Sequence, residues 1–312
     1  MTSGKPIKRV LVIKLGAMGD VIQATGPFAA IRRHHDDAHI TLLTTKLFDE
    51  FASAGGWFDD VWIDDRPSWR ELPKWFAMRK RLRGANFDRV YDLQTSDRTA
   101  IIFRLFGFAR KPEWSGTVPG CSHRHTNPQR DFIHTIERQA EQLAIAGITQ
   151  VAPPNLDHIT SDIGRFELPA PYVLLVPGGS PHRPDKRWPA NNYAELARRL
   201  LAKGVTPVVI GGTAETQIAS AIATFCVGAI DLTTATSMID IVELSRGAAG
   251  AVGNDTGPMH VIAAAGAPSV ALFSHASDPD LCGQRGRDVT ILRRHPLDDL
   301  SVDEVEASLH LR

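Results

Sequence analysis

Four short segments carry residues suited to holding an anion or moving a proton, and each follows a run of β-branched residues. The first is Lys14-Leu-Gly-Ala-Met-Gly-Asp20. Gly16 and Gly19 permit a tight turn with close backbone approach, and Asp20 then opens a helix. There is no G-x-G-x-x-G and no G-K-[ST], so the segment is neither a dinucleotide fingerprint nor a P-loop. What remains is a carboxylate at a strand–helix junction. By residue type alone, Asp20 reads more readily as a helix cap. The second segment is Val176-Pro-Gly-Gly-Ser180, followed by Pro184-Asp-Lys-Arg-Trp-Pro189. Its turn offers backbone N–H groups and a hydroxyl to phosphate, and Lys186 and Arg187 add positive charge. The third is Gly253-Asn-Asp-Thr-Gly-Pro-Met-His260, where small residues at a helix start suit a pyrophosphate. The fourth is Val209-Ile-Gly-Gly-Thr-Ala-Glu215, whose acid can accept from a ribose diol or simply favour a helix start.

The elements that must position these loops alternate in kind. Val10–Ile13, Ile40–Thr44, Val61–Ile63 and Arg89–Leu93 read as strands, Asp20–His34 and Thr135–Ala146 as helices. After a stretch holding Pro153, Pro154, Pro169 and Pro171 the alternation restarts. There Tyr172–Val176, Thr206–Ile210, Ala249–Val252 and Ser269–Phe273 read as strands, and Asn191–Lys203, Ala214–Phe225 and Pro258–Ala265 as helices. The expectation is an α/β chain of two doubly wound domains, 1–152 and 172–312, joined by a Pro-rich linker over 153–171. Ligands of such sheets bind beyond the C-terminal strand ends, so the two domains are expected to face across a cleft. Three phosphate-suited loops fall in the second half, which points to a phosphorylated ligand there, a nucleotide above all.

Composition narrows the class. With 312 residues, 43% hydrophobic and 22% charged, the chain is globular rather than disordered. Three cysteines without a C-x-x-C argue for a reduced compartment and against a cysteine-built zinc site. The apolar run Val10–Ile13 is too short for a signal sequence or a membrane span, so a cytoplasmic protein is expected.

Charge is balanced at 35 basic and 35 acidic residues, yet unevenly placed. Residues 66–130 hold 14 Lys/Arg against 5 Asp/Glu. Such a field suits an acceptor rich in phosphate or carboxylate, and no nucleic-acid motif accompanies it. Within it Trp69, Leu72, Trp75, Phe76 and Leu82 fall at helical spacing among Arg79, Lys80, Arg81 and Arg83. The favoured reading is a crossover helix packing its apolar face on the sheet; a helix resting on an anionic membrane surface is the other. Asp278-Pro-Asp280 is a literal D-x-D, but two neighbouring acids in a loop are common, and no metal site is expected.

Taken together these segments resemble glycosyltransferase family 9, the bacterial heptosyltransferases of lipopolysaccharide core assembly. The matching pieces are Arg9–Val21, Pro177–Ser180 with Asp185–Pro189, Ile210–Glu215, Leu232-Thr233 before Met238, and Asn254–His260. The one departure is the inserted Pro181-His-Arg-Pro184. The resemblance spans nearly the whole chain. It implies a GT-B fold and inverting, metal- and cofactor-independent transfer from an ADP-sugar, typically ADP-heptose, to an anionic lipid-linked glycan, the lipopolysaccharide inner core. It makes Asp20 look like the catalytic base and Lys186 its partner in catalysis. Ser180, Lys186, Asp255, Thr256 and Gly257 look like contacts to donor diphosphate and sugar, with His260 beside them. Glu215 looks like the ribose contact and Met238 part of an adenine pocket. Gly19, Arg98 and Arg124 are the expected acceptor contacts. A monomer, peripheral to the cytoplasmic face of the inner membrane, is the expected state. A nucleotide-sugar epimerase of the same fold, or a non-catalytic paralogue that binds sugar nucleotides, is the alternative.

Overall fold

The computed structural model describes residues 6–107, 111–179 and 182–312. The chain divides into two compact units, Met1–Pro153 and Pro154–Arg312. The first is built on a six-stranded sheet of β1 (Arg9–Ile13), β2 (His39–Thr44), β3 (Asp60–Ile63), β4 (Arg89–Asp92), β5 (Glu113–Gly116) and β6 (His123–Arg124). Their order is β3-β2-β1-β4-β5-β6, and every pairing is parallel. The second contains β7 (Tyr172–Val176), β8 (Thr206–Val209), β9 (Ile230–Asp231), β10 (Gly250–Asn254), β11 (Ser269–Phe273) and β12 (Val289–Arg293). Its order, β12-β11-β10-β7-β8-β9, is the same winding counted within the unit, again all parallel. Two Rossmann-like units therefore follow one another in the chain.

Parallel strands need covered faces, and the sequence supplies them. Each of β7, β10 and β11 is buried at every position. Helix Ala190–Ala202 buries Tyr193, Ala194, Leu196, Ala197 and Leu200, a stripe at 3.6-residue spacing that packs on Val173, Leu175 and Val252. In the first unit Leu11, Ile13, Val90, Ile102 and Trp114 form the corresponding core.

Several expectations shift. The helix expected to open at Asp20 begins at Met18 and ends at Gln23, and a second runs Thr25–His34. Pro27 has no N–H to give the carbonyl four residues back, which accounts for the break. Strands β5, β6, β9 and β12 went unread because they lie toward the sheet edges, and two of them are only two residues long. None of the three cysteines is paired. Among the described residues no helix is long and apolar enough to cross a membrane.

The aromatic helix, Leu72–Gly84, departs most from expectation. Only Leu82 of its residues is buried. Trp69, Leu72 and Phe76 are 75%, 58% and 65% exposed, so of the anticipated apolar face Leu82 alone is buried in the core beside Leu11, Ile13 and Val90, with Met78 packed against it. Trp75 is half-buried, and Arg98 lies over its ring at 5.1 Å.

The Pro-rich stretch is irregular but firmly attached. Leu156 and Ile159 are fully buried. Ser161 Oγ donates to Asp240 Oδ1 at 2.6 Å, Arg165 pairs with Asp240 Oδ2 at 2.6 Å, and Arg246 donates to the Leu156 carbonyl at 2.5 Å. This strap is fastened to helix Met238–Gly247 of the second unit. Leu156→Ala should therefore cost about 2–4 kcal/mol in denaturant unfolding, as a core truncation does. A loss under about 0.5 kcal/mol would mark a solvated linker instead.

Candidate functional site

Parallel sheets of this winding leave a crevice where neighbouring connections depart to opposite faces. In the second unit that crevice lies beyond β7 and β10. The β7 strand runs out into Pro177-Gly-Gly179, and β10 into Asp255-Thr-Gly257. Asn254, with no solvent exposure, ties the two together. Its Nδ2 donates to the carbonyls of Pro177 and Gly178, both at 2.9 Å. Its Oδ1 accepts from the Trp188 backbone N–H and the Tyr193 hydroxyl, both at 3.0 Å.

The crevice holds a cavity of about 320 Å³ lined by Gly178, Gly179, Lys186, Gly211, Glu215, Asp255, Thr256 and Gly257 among others. Five expected donor residues thus come together: Lys186, Glu215, Asp255, Thr256 and Gly257. Glu215 sits where side chains at Gly178 or Gly211 would collide with it, a Cβ at either lying within 3.0 Å of its atoms. Glu215 Oε2 also accepts the Gly212 N–H at 2.8 Å, so it closes the turn that carries it. Lys186 Nζ pairs with Asp255 Oδ2 at 2.6 Å, and Gln284 Nε2 donates to Asp255 Oδ1 at 3.2 Å. His260 Nε2 stands 4.0 Å from the same carboxylate. Helix Gly257–Ala264 opens without a side-chain cap, and Thr256 Oγ1 donates to the Asn254 carbonyl. Pro258 has no N–H and that of His260 goes to the Thr256 carbonyl, so the first-turn N–H groups left to an anion are those of Gly257 and Met259. Asp255, a carboxylate, suits sugar hydroxyls better than phosphate, while Lys186 can serve both.

Met238 begins helix Met238–Gly247 behind a Ser237 cap and does not line this cavity. Ser180 lies outside the described residues. Gln284 was not anticipated; it is 2% exposed, and its sequence context of small and charged residues carries no signal. Asp278 caps the short helix Pro279–Cys282 and stands 3.5 Å from Arg293.

In the first unit the crevice lies beyond β1 and β4. Gly16, at φ +128°, adopts a backbone that side chains disfavour and turns the chain into helix Met18–Gln23. Asp20 is the third residue of that helix, and its Oδ2 accepts the Ala17 N–H at 3.1 Å. It is thus not the cap but the acid that reaches back to it, and Gly19 precedes it, half-buried. Below lies a buried charge cluster that the sequence reading passed over. Lys14 is 4% exposed and donates to the Leu93 carbonyl at 3.2 Å. Asp92 is fully buried; its Oδ1 accepts the N–H groups of Gln94 and Thr95, and its Oδ2 has no partner among the described residues. Burial holds the Lys14 ammonium below its ordinary pKa and pushes the Asp92 carboxyl up to about 6. Arg130 and Arg138 bear on Lys14 as like charges, and Asp20 as an opposite one. Arg130 also donates to Thr95 Oγ1 at 3.1 Å and to His125. Lys14 and Arg130 thus bear on one buried carboxyl and Arg138 bears on Lys14, so positive charge is in excess at this end of the unit. The available signal was a lysine and an aspartate ending otherwise apolar strand runs.

The two arginines expected at the acceptor stand differently. Arg98 is held by Asp64 through paired hydrogen bonds, so its charge is already matched. Arg124 is exposed and donates to the Thr117 carbonyl at 3.1 Å. A larger cavity, about 670 Å³ and lined by Asp88, Lys111 and Glu113 among others, lies at the opposite, N-terminal ends of β4 and β5. No expected site residue lines it.

Two Rossmann-like units, one with a crevice suited to a diphosphate, define the class: a protein of GT-B architecture. The sequence profile of glycosyltransferase family 9 (heptosyltransferase) matches residues 75–305, and the chain belongs to that family. It is 24% identical over 300 residues to lipopolysaccharide heptosyltransferase 1 of Pseudomonas aeruginosa, covering 89% of this chain and 82% of that one. The ADP-heptose lipopolysaccharide heptosyltransferase II of Escherichia coli has a similar fold, with a TM-score of 0.81 at 22% identity over 96% of this chain and 97% of that one. So has an E. coli heptosyltransferase solved with ADP, at TM-score 0.75 and 21% identity, covering 96% of this chain and 98% of that one.

The buried carboxyl of Asp92 makes stability depend on pH. A folded-state pKa of about 6 against an ordinary 3.8 favours folding while the carboxyl is protonated. That contribution is complete below pH 3.8 and disappears as pH rises through about 6. Asp92→Asn should remove this dependence and raise stability at pH 7 relative to the parent by on the order of 1–3 kcal/mol. Parallel stability–pH curves for parent and variant would show that Asp92 is ionised without cost.

Proposed function

We propose that the chain transfers a heptose, or a closely similar sugar, from an ADP-sugar to an anionic acceptor of the lipopolysaccharide inner-core type, with inversion and without a metal. The observation that carries the proposal is the cavity uniting Lys186, Glu215, Asp255, Thr256 and Gly257, which are up to 71 positions apart in the sequence. Family membership and the printed substrates of the relatives support the sugar and the nucleotide.

The second unit holds the donor in this reading. The uncapped start of helix Gly257–Ala264 and Lys186 receive the diphosphate, Asp255 receives sugar hydroxyls, and Glu215 receives the ribose diol. The first unit holds the acceptor, with Lys14, Arg130 and Arg138 facing its acidic groups and Arg124 at the exposed edge. Asp20 accepts the proton of the attacking hydroxyl as the oxygen bonds to the anomeric carbon. The bond to the diphosphate breaks on the opposite side, and the charge that gathers there falls to Lys186 and the helix N–H groups. Placement of the reaction at the cytoplasmic face of the inner membrane by a monomer belongs to the same proposal.

Asp20→Asn separates the proton acceptor from the structural acid. Asn retains an oxygen for the Ala17 N–H but cannot take the proton. Acceptor-dependent ADP release should fall by about a hundredfold or more, while ADP still raises the melting temperature. Lys186→Ala should show the reverse emphasis, with a clearly smaller ADP-induced thermal shift. A rate within a few-fold of the parent for Asp20→Asn would remove the base assignment. ADP release from the ADP-sugar independent of acceptor would remove the transferase reading itself.

Turnover should also survive excess EDTA, because Asp278 is engaged as a helix cap and the diphosphate charge is assigned to Lys186 and backbone N–H groups. Activity abolished by chelation and restored by magnesium would overturn the metal-independent mechanism.

A further inference from the structure

Helix Leu72–Gly84 and the residue pair before it present a surface that the fold does not use. Leu72 and Phe76 are one turn apart on the outward side, Lys80 continues the same line, and Arg83 follows it one turn further. Trp69, three residues before Leu72, is 75% exposed, with the Arg70 guanidinium over its ring at 4.8 Å. Three large exposed apolar side chains thus fall within eight residues at the N-terminal end of a helix whose C-terminal half is basic. Arg79, Lys80 and Arg83 make no ion pair among the described residues, whereas Lys74 is held by Glu71 and Arg81 lies over the Trp62 ring. Exposed single hydrophobes are ordinary, but three within eight residues beside unmatched cations are not.

We infer that this strip docks the first unit on an anionic lipid bilayer. Trp69, Leu72 and Phe76 enter the boundary between headgroups and acyl chains, and Arg79, Lys80 and Arg83 meet the lipid phosphates. The charge decides the occupant. An apolar patch meant for a second copy of the chain would bring the same three cations against each other across a twofold axis, and that repulsion is absent at a negative surface. Tryptophan suits the depth as well, with an apolar body and a polar N–H. The inner side of the helix completes the arrangement: Trp75 carries the stacked Arg98, which is bound to Asp64. The docked surface is thereby one side chain removed from groups of the first unit's ligand end. The inference adds to the transferase proposal a surface, but vesicle binding itself does not depend on catalysis.

The test is co-sedimentation of the full chain with vesicles of phosphatidylcholine alone or mixed with phosphatidylglycerol, neither of which carries glycan. The parent should partition to the anionic vesicles at least about tenfold better than to the neutral ones, and high salt should erase much of the difference. Combining Trp69→Ser, Leu72→Ser and Phe76→Ser should reduce binding at least about tenfold. Arg79→Gln with Lys80→Gln and Arg83→Gln should abolish the anionic preference. Both variants change exposed side chains, apart from the half-buried Arg79, and should keep the parent's melting temperature and its ADP-induced shift, which separates loss of docking from loss of fold or of donor binding. Absence of parental binding, or equal binding by the apolar variant, overturns the inference. So does a parental dimer that the three serine substitutions dissolve.

Discussion

The ligand end of the second unit hangs on one buried amide. Asn254 closes β10, and its side chain accepts from Trp188 and Tyr193 while donating to Pro177 and Gly178. Those four partners lie on the loop after β7 and on the helix that follows it. A glycine-rich loop at a strand end has little side-chain packing to hold it, and its carbonyls must find donors once they are buried. Asn is suited to the place because it offers donors and an acceptor within one neutral group. Its hold on Trp188 also fixes the residue two positions after Lys186. The distance at which Lys186 meets Asp255 is in this sense a consequence of Asn254, as is the close approach of Gly178 to Glu215.

The same winding, used twice, gives two different chemistries. In both units the crevice opens beyond two adjacent strands, β1 and β4 in the first, β7 and β10 in the second. The second unit lines it with glycines and a bare helix start, which favour close approach of phosphate. The first sets Lys14, Asp92 and Arg130 at the C-terminal ends of its strands and in the loops beyond, charged groups sunk below the loop that bears Asp20. Buried charges of this kind are costly unless they are paired. The first unit therefore has a charged floor beneath its strand-end loops, the second a polar backbone.

Asp20 and Glu215 show how one residue can satisfy two explanations. Each is the third residue of its helical turn, and each reaches back to a backbone N–H at the start. A carboxylate so held has a fixed rotamer and one lone pair engaged. Its orientation is thereby set by the turn itself, which is the arrangement that the proposed chemical roles require.

Much was legible in the sequence by local rules. Period-two and continuous apolar runs mark most of the strands, and glycines with an acid or a lysine at fixed offsets mark four of the strand-end loops, because these signals depend only on neighbours along the chain. Edge strands of two residues, β6 and β9, have no such period and exist through their pairing partners. Gln284 and Asn254 became visible only once strands distant in sequence were adjacent. The prolines of 153–171 correctly announced an irregular segment, yet its burial rests on Asp240 and Arg246, some 80 residues away. The apolar spacing of Trp69, Leu72, Trp75, Phe76 and Leu82 correctly announced a helix. Which of them faces inward was decided by the surface available beneath it: the first unit's core takes Leu82, Arg98 stacks on Trp75, and among the described residues Leu72 and Phe76 are left mostly exposed. Periodicity is a property of the chain, whereas burial is a property of what the rest of the chain brings to meet it.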